Sequence, residues 1–512
     1  MPKKDRIELA AVIDIGSSEL RLKTAQFSKT RIKYLESLTY PLALGRDTFN
    51  SRKIGFDKVD KVCEIINNFL LIIHEYGISN IRVVATTAVR EAANMDYFLD
   101  QIKIKTGLNI SVLDDMEEKL YIYKLLTRLL DADVKDSALM VHIGSGNIGL
   151  STLERGRIQF TQNIKLGSLR ISELFGDIQE YSNEFYIILE EYMHSFTDLL
   201  ETVIPENTRH LIVSGNEIAV ASELIGINGK GVFNTLPKVK FLNFYNEIKH
   251  KTTERAAADF RITAEKAELL LPAMSIFHNL LRFTQAEEII SADVMLSDAI
   301  LYEMLCPQEY SVINKDFSKN TLLSATALAK KFNVMESHYK QVENFSIKIF
   351  DKMKKLHGMG SREKLLLQVA AILHDVGKFI NINHHNHHSY DIITGVDITG
   401  LSQLETEIVA NLAMYHSLKV PSPLDANYTR LNLYNRVLVS KLTAILRLAD
   451  ALDRSHTQKF SEIGTKITDN ELVIMISTDT NIDLEQWSFN EKGAFFEEVF
   501  GIKAVIRQKK VL

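Results

Sequence analysis

Apolar and polar positions alternate along the chain in two different rhythms. As far as about residue 305, short apolar runs bounded by glycine or polar clusters alternate with longer amphipathic stretches, which predicts strands interleaved with helices. Ile7–Ile15, Leu20–Phe27 and Ile32–Leu42 predict an antiparallel meander. Phe56–Tyr76 follows as a helix with the stripe Val59, Val62, Cys63, Ile66, Phe69 and Leu70. A strand at Ile81–Ala85, a helix at Phe98–Thr106, a strand near Ile110–Leu113 and a helix over Met116–Leu130 close this half. The pattern then restarts, with strands at Ala138–Ile143, Ile148–Leu153 and Ile158–Asn163, helices at Leu169–Phe175 and Glu184–Val203, and a strand at Leu211–Ser214. Helical sequence continues to Leu305. A strand, a glycine turn and a strand open both halves, about 130 residues apart. This predicts a duplicated two-lobed α/β unit whose ligand lies between the lobes, where the two loops meet.

The second rhythm is purely helical. Asn320–Phe332 and His338–Lys355 begin it, the latter with the stripe Val342, Phe345, Ile349 and Met353. Leu367, Ala370 and Ala371 carry His374 on an apolar face, and Asp375 follows directly. A loop with His384, His385, His387 and His388 comes next. His416 ends a stripe of Ile408, Leu412 and Tyr415, and Asp450 sits at the edge of Leu442, Ile445, Leu446 and Ala449. A carboxylate turned toward a core needs a cation or several donors. Imidazole and carboxylate together suit a divalent metal, with Mn, Fe or Zn favoured over a magnesium-only site. After Arg454 the order changes to strand, helix, strand, which predicts a small α+β tail ending in the basic residues Arg507, Lys509 and Lys510.

Composition narrows the class. The chain has 512 residues, 46% of them hydrophobic, and a net charge of −5. That predicts a soluble protein of several domains and argues against nucleic acid as a partner. Cys63 and Cys306 cannot build a disulfide framework, which fits a reducing compartment. The N-terminal MPKKDRIELAAVIDIG reads as a polar tail entering a strand, and no run approaches the ~18 apolar residues of a membrane span. The expected location is the cytoplasm, without a membrane partner.

Phosphate chemistry enters with the two turns. Backbone amides after a strand can turn toward a phosphate where glycine removes the side chain. Gly16, Ser17 and Ser18 offer one such cradle, and Gly144, Ser145, Gly146 and Asn147 the other. Arg90, in TTAVREAAN, suits a bidentate grip on phosphate oxygens. In order, AVIDIGSSELRL, ATTAVREAANMDYFL, VLDDMEEKLYIY, VHIGSGNIGL, IKLGSLRISELF, IVSGNEI and ISADVMLSDAIL resemble the motifs of the exopolyphosphatase/guanosine pentaphosphate phosphatase (Ppx/GppA) family. ILHDVG, YH and LADALD resemble the HD phosphohydrolases, whose domain many members of that family append in a related form.

The resemblance implies an α/β fold of two actin-like (ASKHA, ribonuclease H-like) lobes over residues 1–135 and 136–312. An all-α HD-like domain over 315–463 and the α+β tail over 464–512 follow. It implies Glu118, with Glu117 beside it, and Asp14 as the catalytic acids, and Mg or Mn in the cleft. The same two glutamates also fit a helix N-terminus favoured by the dipole. In the helical domain it implies His374, Asp375 and Asp450 as metal ligands. His416 and one of His385, His387 or His388 are candidates for a second ion. There are departures. His142 stands where the family has its metal-binding aspartate, Gly149 where it has the closing glutamate, and Ser18-Glu19 where it has Asn-Ser. Gln341 occupies the usual place of the first HD histidine, with His338 one turn earlier as a substitute. The expected function is release of phosphate from inorganic polyphosphate or a guanosine polyphosphate of the (p)ppGpp type, by a homodimer. The alternative is a pair of weakened lobes that sense such an anion and regulate an HD-type hydrolase.

Overall fold

The computed structural model describes residues 8–28, 31–181, 184–197, 200, 204–227, 231–468 and 470–508. The chain divides into two compact units, Met1–Phe317 and Ser318–Leu512.

In the first unit the predicted meander is β1 (Glu8–Ile15), β2 (Glu19–Ser28) and β3 (Arg31–Pro41). β4 (Ile81–Ala85) and β5 (Ser111–Val112) extend it into the order β3-β2-β1-β4-β5, with β4 parallel to β1. Ala10 to Ile13 are all buried, as expected of a central strand covered on both faces. The second sheet uses β6 (Ser137–Ile143), β7 (Ile148–Glu154), β8 (Arg157–Ile164), β9 (His210–Ser214), β10 (Phe233–Pro237) and β11 (Glu288–Ala292), in the order β10-β11-β9-β6-β7-β8. The duplication is visible in the register: β1 pairs parallel with β4 as β6 pairs with β9. Both glycine turns therefore leave the C-terminal ends of equivalent central strands, where ligands of open α/β sheets gather.

β10 and β11 correct the expectation of unbroken helix from residue 215 to Leu305. Each is only five residues long and lies between helices, so periodicity could not separate it from them. The helix expected over Glu184–Val203 is described as Phe185–Thr197, and residues 198–199 and 201–203 lie outside the described residues.

In the second unit, helices Glu336–Lys352, Ser361–Leu373, Gln403–Tyr415 and Leu433–Ala451 share one core. Leu472, Ile474, Phe489 and Phe496 of the tail belong to that core, so helical region and tail fold around common side chains. The tail sheet runs β12 (Ile463–Ile467), β13 (Glu471–Ile476) and β14 (Lys503–Gln508), covered by helix Asp483–Phe500. β12 crosses the expected boundary at 463/464. Lys509 and Lys510 lie outside the described residues. The histidine-rich loop is corrected too: His385–Thr394 is helical, and His384 precedes it in the left-handed region, at φ 57°. Both cysteines are buried and free. Among the described residues no helix is long and apolar enough to cross a membrane.

Candidate active sites

The two glycine turns close in the same way. Gly16 N donates to Glu19 O at 3.0 Å and Gly144 N to Asn147 O at 2.9 Å, while the hydroxyls of Ser18 and Ser145 meet at 3.0 Å. A Cβ on Gly146 would lie 2.5 Å from Thr87 Cγ2, so this glycine lets the second turn press against the first lobe. The cleft so formed is lined by Asp14, Gly16, Ser17, Ser18, Glu118, Gly144, Ser145 and Asn147 of the expected residues. Glu19, Arg21, His142 and Glu217 line it as well.

Three expected residues do other work. Glu117 forms a capping box, its carboxylate accepting from Asp114 N at 3.0 Å while Asp114 Oδ1 accepts from Glu117 N. Arg90 is held by the Asp115 carboxylate, by Leu113 O and by Thr87 Oγ1. Its guanidinium is therefore committed to protein oxygens, and neither it nor Gly146 is among the residues lining the cleft.

Asp14 and Glu118 do face the cleft. Among the described residues, Asp14 Oδ1 and Glu118 Oε2 are shut off from solvent without a hydrogen-bond partner. Burial pushes the Asp14 carboxyl up to about 7, against the pull of Arg21 and with help from Glu118 and Glu19. Burial likewise raises Glu217, whose Oε1 accepts from Ser168 Oγ at 2.5 Å. His142 Nδ1 lies 2.9 Å from Ser214 Oγ, and burial together with the nearby Lys119 holds the imidazole neutral.

Lys119 is the residue the sequence reading missed. It is fully buried and donates to Asn147 Oδ1, with Glu118 Oε1 3.9 Å from its ammonium. The signal was present, since Met116, Lys119, Leu120 and Tyr123 share one helical stripe, an odd place for a lysine.

The second unit gathers imidazoles and carboxylates more tightly. Three groupings of ligand-type side chains bring their ligand atoms within 4.8 Å of one another: His338/His374/Asp450, His338/Asp375/His456 and His374/Asp375/His416. Among the described residues the cleft has no such trio.

The imidazoles are oriented from behind. Nδ1 of His374, His385 and His416 donates to the carbonyl of the residue three positions earlier, at 2.8, 3.0 and 2.6 Å. His338 Nδ1 instead meets Asp453 Oδ2 at 2.8 Å. A carbonyl can only accept, so in the first three rings Nδ1 carries a proton and Nε2 points inward, the nitrogen left to bind a metal when it is unprotonated, as metal-ligating histidines are held.

His338 and His374 approach to 3.3 Å through Nε2, as do His385 and His416. Asp375 links the two pairs: Oδ2 lies 3.5 Å from His374 and 3.7 Å from His338, Oδ1 3.5 Å from His385 and 3.6 Å from His416. Asp450 Oδ1 closes the first group at 3.3 and 3.6 Å. Ligand bonds of about 2.0–2.2 Å separate ligand atoms by about 3–3.5 Å, so these spacings fit divalent ions.

His338 lies in the cluster, whereas Gln341, at the position where the first histidine was expected, donates to Phe460 O. Of the candidate loop histidines only His385 enters the cluster. Lys378 donates to Asp375 Oδ2 at 2.5 Å and the buried Lys492 to Asp450 Oδ2, and His456 stacks on His338 at 3.6 Å. Lys492, Asp453 and His456 were not anticipated. Lys492 again betrays itself on an apolar stripe, with Phe489 and Phe496.

A duplicated two-lobed α/β unit with phosphate-type turns, followed by a helical unit with a metal-type cluster, defines the class as a phosphohydrolase. Comparison with known proteins agrees. The Ppx/GppA phosphatase family profile matches residues 25–307, and the profile of Ppx/GppA phosphatase domain III matches residues 322–492. The chain belongs to the Ppx/GppA phosphatase family. It is 19% identical over 471 residues to a guanosine-5'-triphosphate,3'-diphosphate pyrophosphatase of Photobacterium profundum, covering 91% of each. It is 19% identical over 403 residues to one of Aliivibrio fischeri, covering 78% of this chain and 79% of that protein. Among solved structures it resembles an exopolyphosphatase from Cytophaga hutchinsonii, with TM-score 0.54, 18% identity, and coverage of 58% of this chain and 98% of that one. The Aquifex aeolicus Ppx/GppA family member matches with TM-score 0.51, 19% identity, and coverage of 59% and 99%. The expected actin-like α/β fold is thereby established, as is the hydrolase class.

Proposed function

We propose that the protein releases phosphate from a polyphosphorylated anion, inorganic polyphosphate or a guanosine polyphosphate. In this reading the lobes sense such an anion and regulate the HD-like cluster of the helical unit, which performs the hydrolysis. The carrying observation is the array of inward Nε2 atoms around Asp375. The substrate class follows what the relatives are named for, a guanosine pyrophosphatase and an exopolyphosphatase.

His338, His374, Asp375 and Asp450 would hold one divalent ion, and Asp375, His385 and His416 a second. Mn, Fe or Zn suits this donor set. Such ions supply charge neutralisation for the transferring phosphoryl group and an activated water. The chain's own residues do the rest. Asp375 presents one oxygen to each histidine pair, and the carbonyls of Ala371, Ile382 and Ala413 fix the imidazoles. Lys378, the half-buried cation at Asp375, is placed to take a non-bridging phosphate oxygen. The same reading takes the protein to be a cytoplasmic homodimer.

A second reading keeps the chemistry in the cleft, and the unpartnered oxygens of Asp14 and Glu118 favour it. Phosphate release by the full chain with Mn²⁺, from polyphosphate and from guanosine pentaphosphate, separates the two. Asp375→Ala should lower turnover about a thousandfold, the scale of about 4 kcal/mol of lost transition-state stabilisation, and Glu118→Gln less than about tenfold. The reverse order would move the hydrolysis into the cleft.

A further inference from the structure

One imidazole at the helical cluster is not held as the others are. His374, His385 and His416 are tethered through Nδ1 to backbone carbonyls, and His338 to Asp453. Among the described residues no hydrogen bond ties down the ring of His456. Its place is set instead by the turn that carries it. The Asp453 carboxylate accepts from His338 Nδ1 and from Gln458 N, each at 2.8 Å, and the Asp453 carbonyl accepts from His456 N at 2.9 Å. His456 itself sits at φ 58°, in the left-handed region that few residues with a side chain adopt. The turn thus lays the ring flat on His338, with centroids 3.6 Å apart and planes inclined by 8°.

A ring nitrogen of His456 lies within 4.8 Å of ligand atoms of His338 and Asp375, which on distance alone would make it one more metal ligand. The ring planes decide otherwise. An imidazole binds an ion along its lone pair, in the ring plane and at about 2.0–2.1 Å. Two rings stacked face to face aim their lone pairs side by side, so those of His338 and His456 do not converge on one ion. His456 is also only half-buried, whereas His338, His374 and Asp450 are enclosed. It stands beside the ligands at an edge that solvent reaches, as does the half-buried Lys378.

We propose that His456 is a catalytic residue that donates a hydrogen bond to the bridging oxygen of the phosphoanhydride as it leaves. This rests on the reading of the helical cluster as the seat of hydrolysis. An imidazole keeps an N–H to donate in either protonation state, so the role does not depend on titration. In the reaction the oxygen of water bonds to the terminal phosphorus, and the bridging P–O bond breaks with its electron pair on the leaving phosphate. The protons of the water stay with the products or pass to solvent, and His456 gives up none. A donor aimed at the oxygen where charge develops stabilises the transition state more than the bound substrate. Lys378 and His456 then divide the work, one on a non-bridging oxygen and the other on the leaving one.

The test uses the full-length protein loaded with Mn²⁺ and inorganic tripolyphosphate, comparing wild type, His456→Gly, His456→Phe and Asp375→Ala. Glycine suits a positive φ, so His456→Gly should fold and leave a gap on His338. Its Mn²⁺ content should match the wild type, its KM should change less than about threefold, and its kcat should fall about a hundredfold, the scale for loss of one donor to a developing oxyanion. Added imidazole should recover at least about tenfold of that loss in His456→Gly and leave the wild type unchanged. His456→Phe keeps a ring against His338 but has no N–H, and should be as slow as His456→Gly. Loss of Mn²⁺ in His456→Gly would make His456 a ligand and overturn the proposal. Full turnover in His456→Phe would make it a packing residue, with the same result. If His456→Gly turns over like the wild type while Asp375→Ala does not, this proposal fails and the reading of the cluster stands. If Asp375→Ala is as fast as the wild type, the hydrolysis lies elsewhere and both fall.

Discussion

Asp14 in the cleft and Asp375 in the helical unit are both carboxylates enclosed by protein, and burial alone would raise both. Asp14 yields and is pushed up to about 7, with only Arg21 opposing. Asp375 resists: the imidazoles of His374 and His416 and the ammonium of Lys378 overcome its burial and hold it well below the usual carboxylate range. Asp450 is held down in the same way, against its burial, by Lys492 and by hydrogen bonds from His338 and His374. Burial therefore moves the Asp14 carboxyl toward its neutral form. The helical unit keeps its carboxylates ionised and surrounds them with nitrogen donors. The difference is that between a carboxylate with little beside it to oppose burial and carboxylates held ionised by the groups around them.

Breaking a pair should hurt most where the charges are most enclosed. Asp450→Ala leaves Lys492 buried without its carboxylate and removes an acceptor from His338 and His374. The metal-free protein should lose about 3–5 kcal/mol, read by urea denaturation. A loss below about 1 kcal/mol would mean that the cluster does not need its own charges.

A smaller effect is expected in the cleft. Restoring the family glutamate through Gly149→Glu drives the new side chain into Lys119 and Tyr123. Overpacking of this kind costs about 1–3 kcal/mol. Adding Lys119→Ala should recover most of it in the same denaturation experiment. If the single variant is as stable as the parent, Lys119 does not fill that space.

Much of this contrast was legible in the sequence, for reasons that differ by residue. His374, His416 and Asp450 follow from helical phase, because each lies on or beside an apolar stripe that must face the core. His338 was legible in the same way: it shares a face with Val342, Phe345 and Ile349, whereas Gln341 lies beside that face and reaches Phe460 O. Motif position alone favoured Gln341. Gly16 and Gly144 were readable because their turns follow central strands. The rest depended on tertiary contacts. Glu117 and Arg90 carry the right chemistry in the right motif, yet a helix cap and an aspartate claim them. His456 lies at φ 58° in a turn, without periodicity to announce its stacking on His338. β10 and β11 became strands through their partners in the sheet, which five residues cannot reveal.

The central claim is the proposed one, that the helical unit holds divalent ions. Metal analysis of the full-length protein after loading with Mn²⁺ and removal of excess ion tests it most directly, comparing wild type, Asp375→Ala and Asp14→Asn. The account predicts roughly stoichiometric or greater metal in the wild type, unchanged content in Asp14→Asn, and loss in Asp375→Ala. Metal that stays in Asp375→Ala and disappears in Asp14→Asn would contradict it.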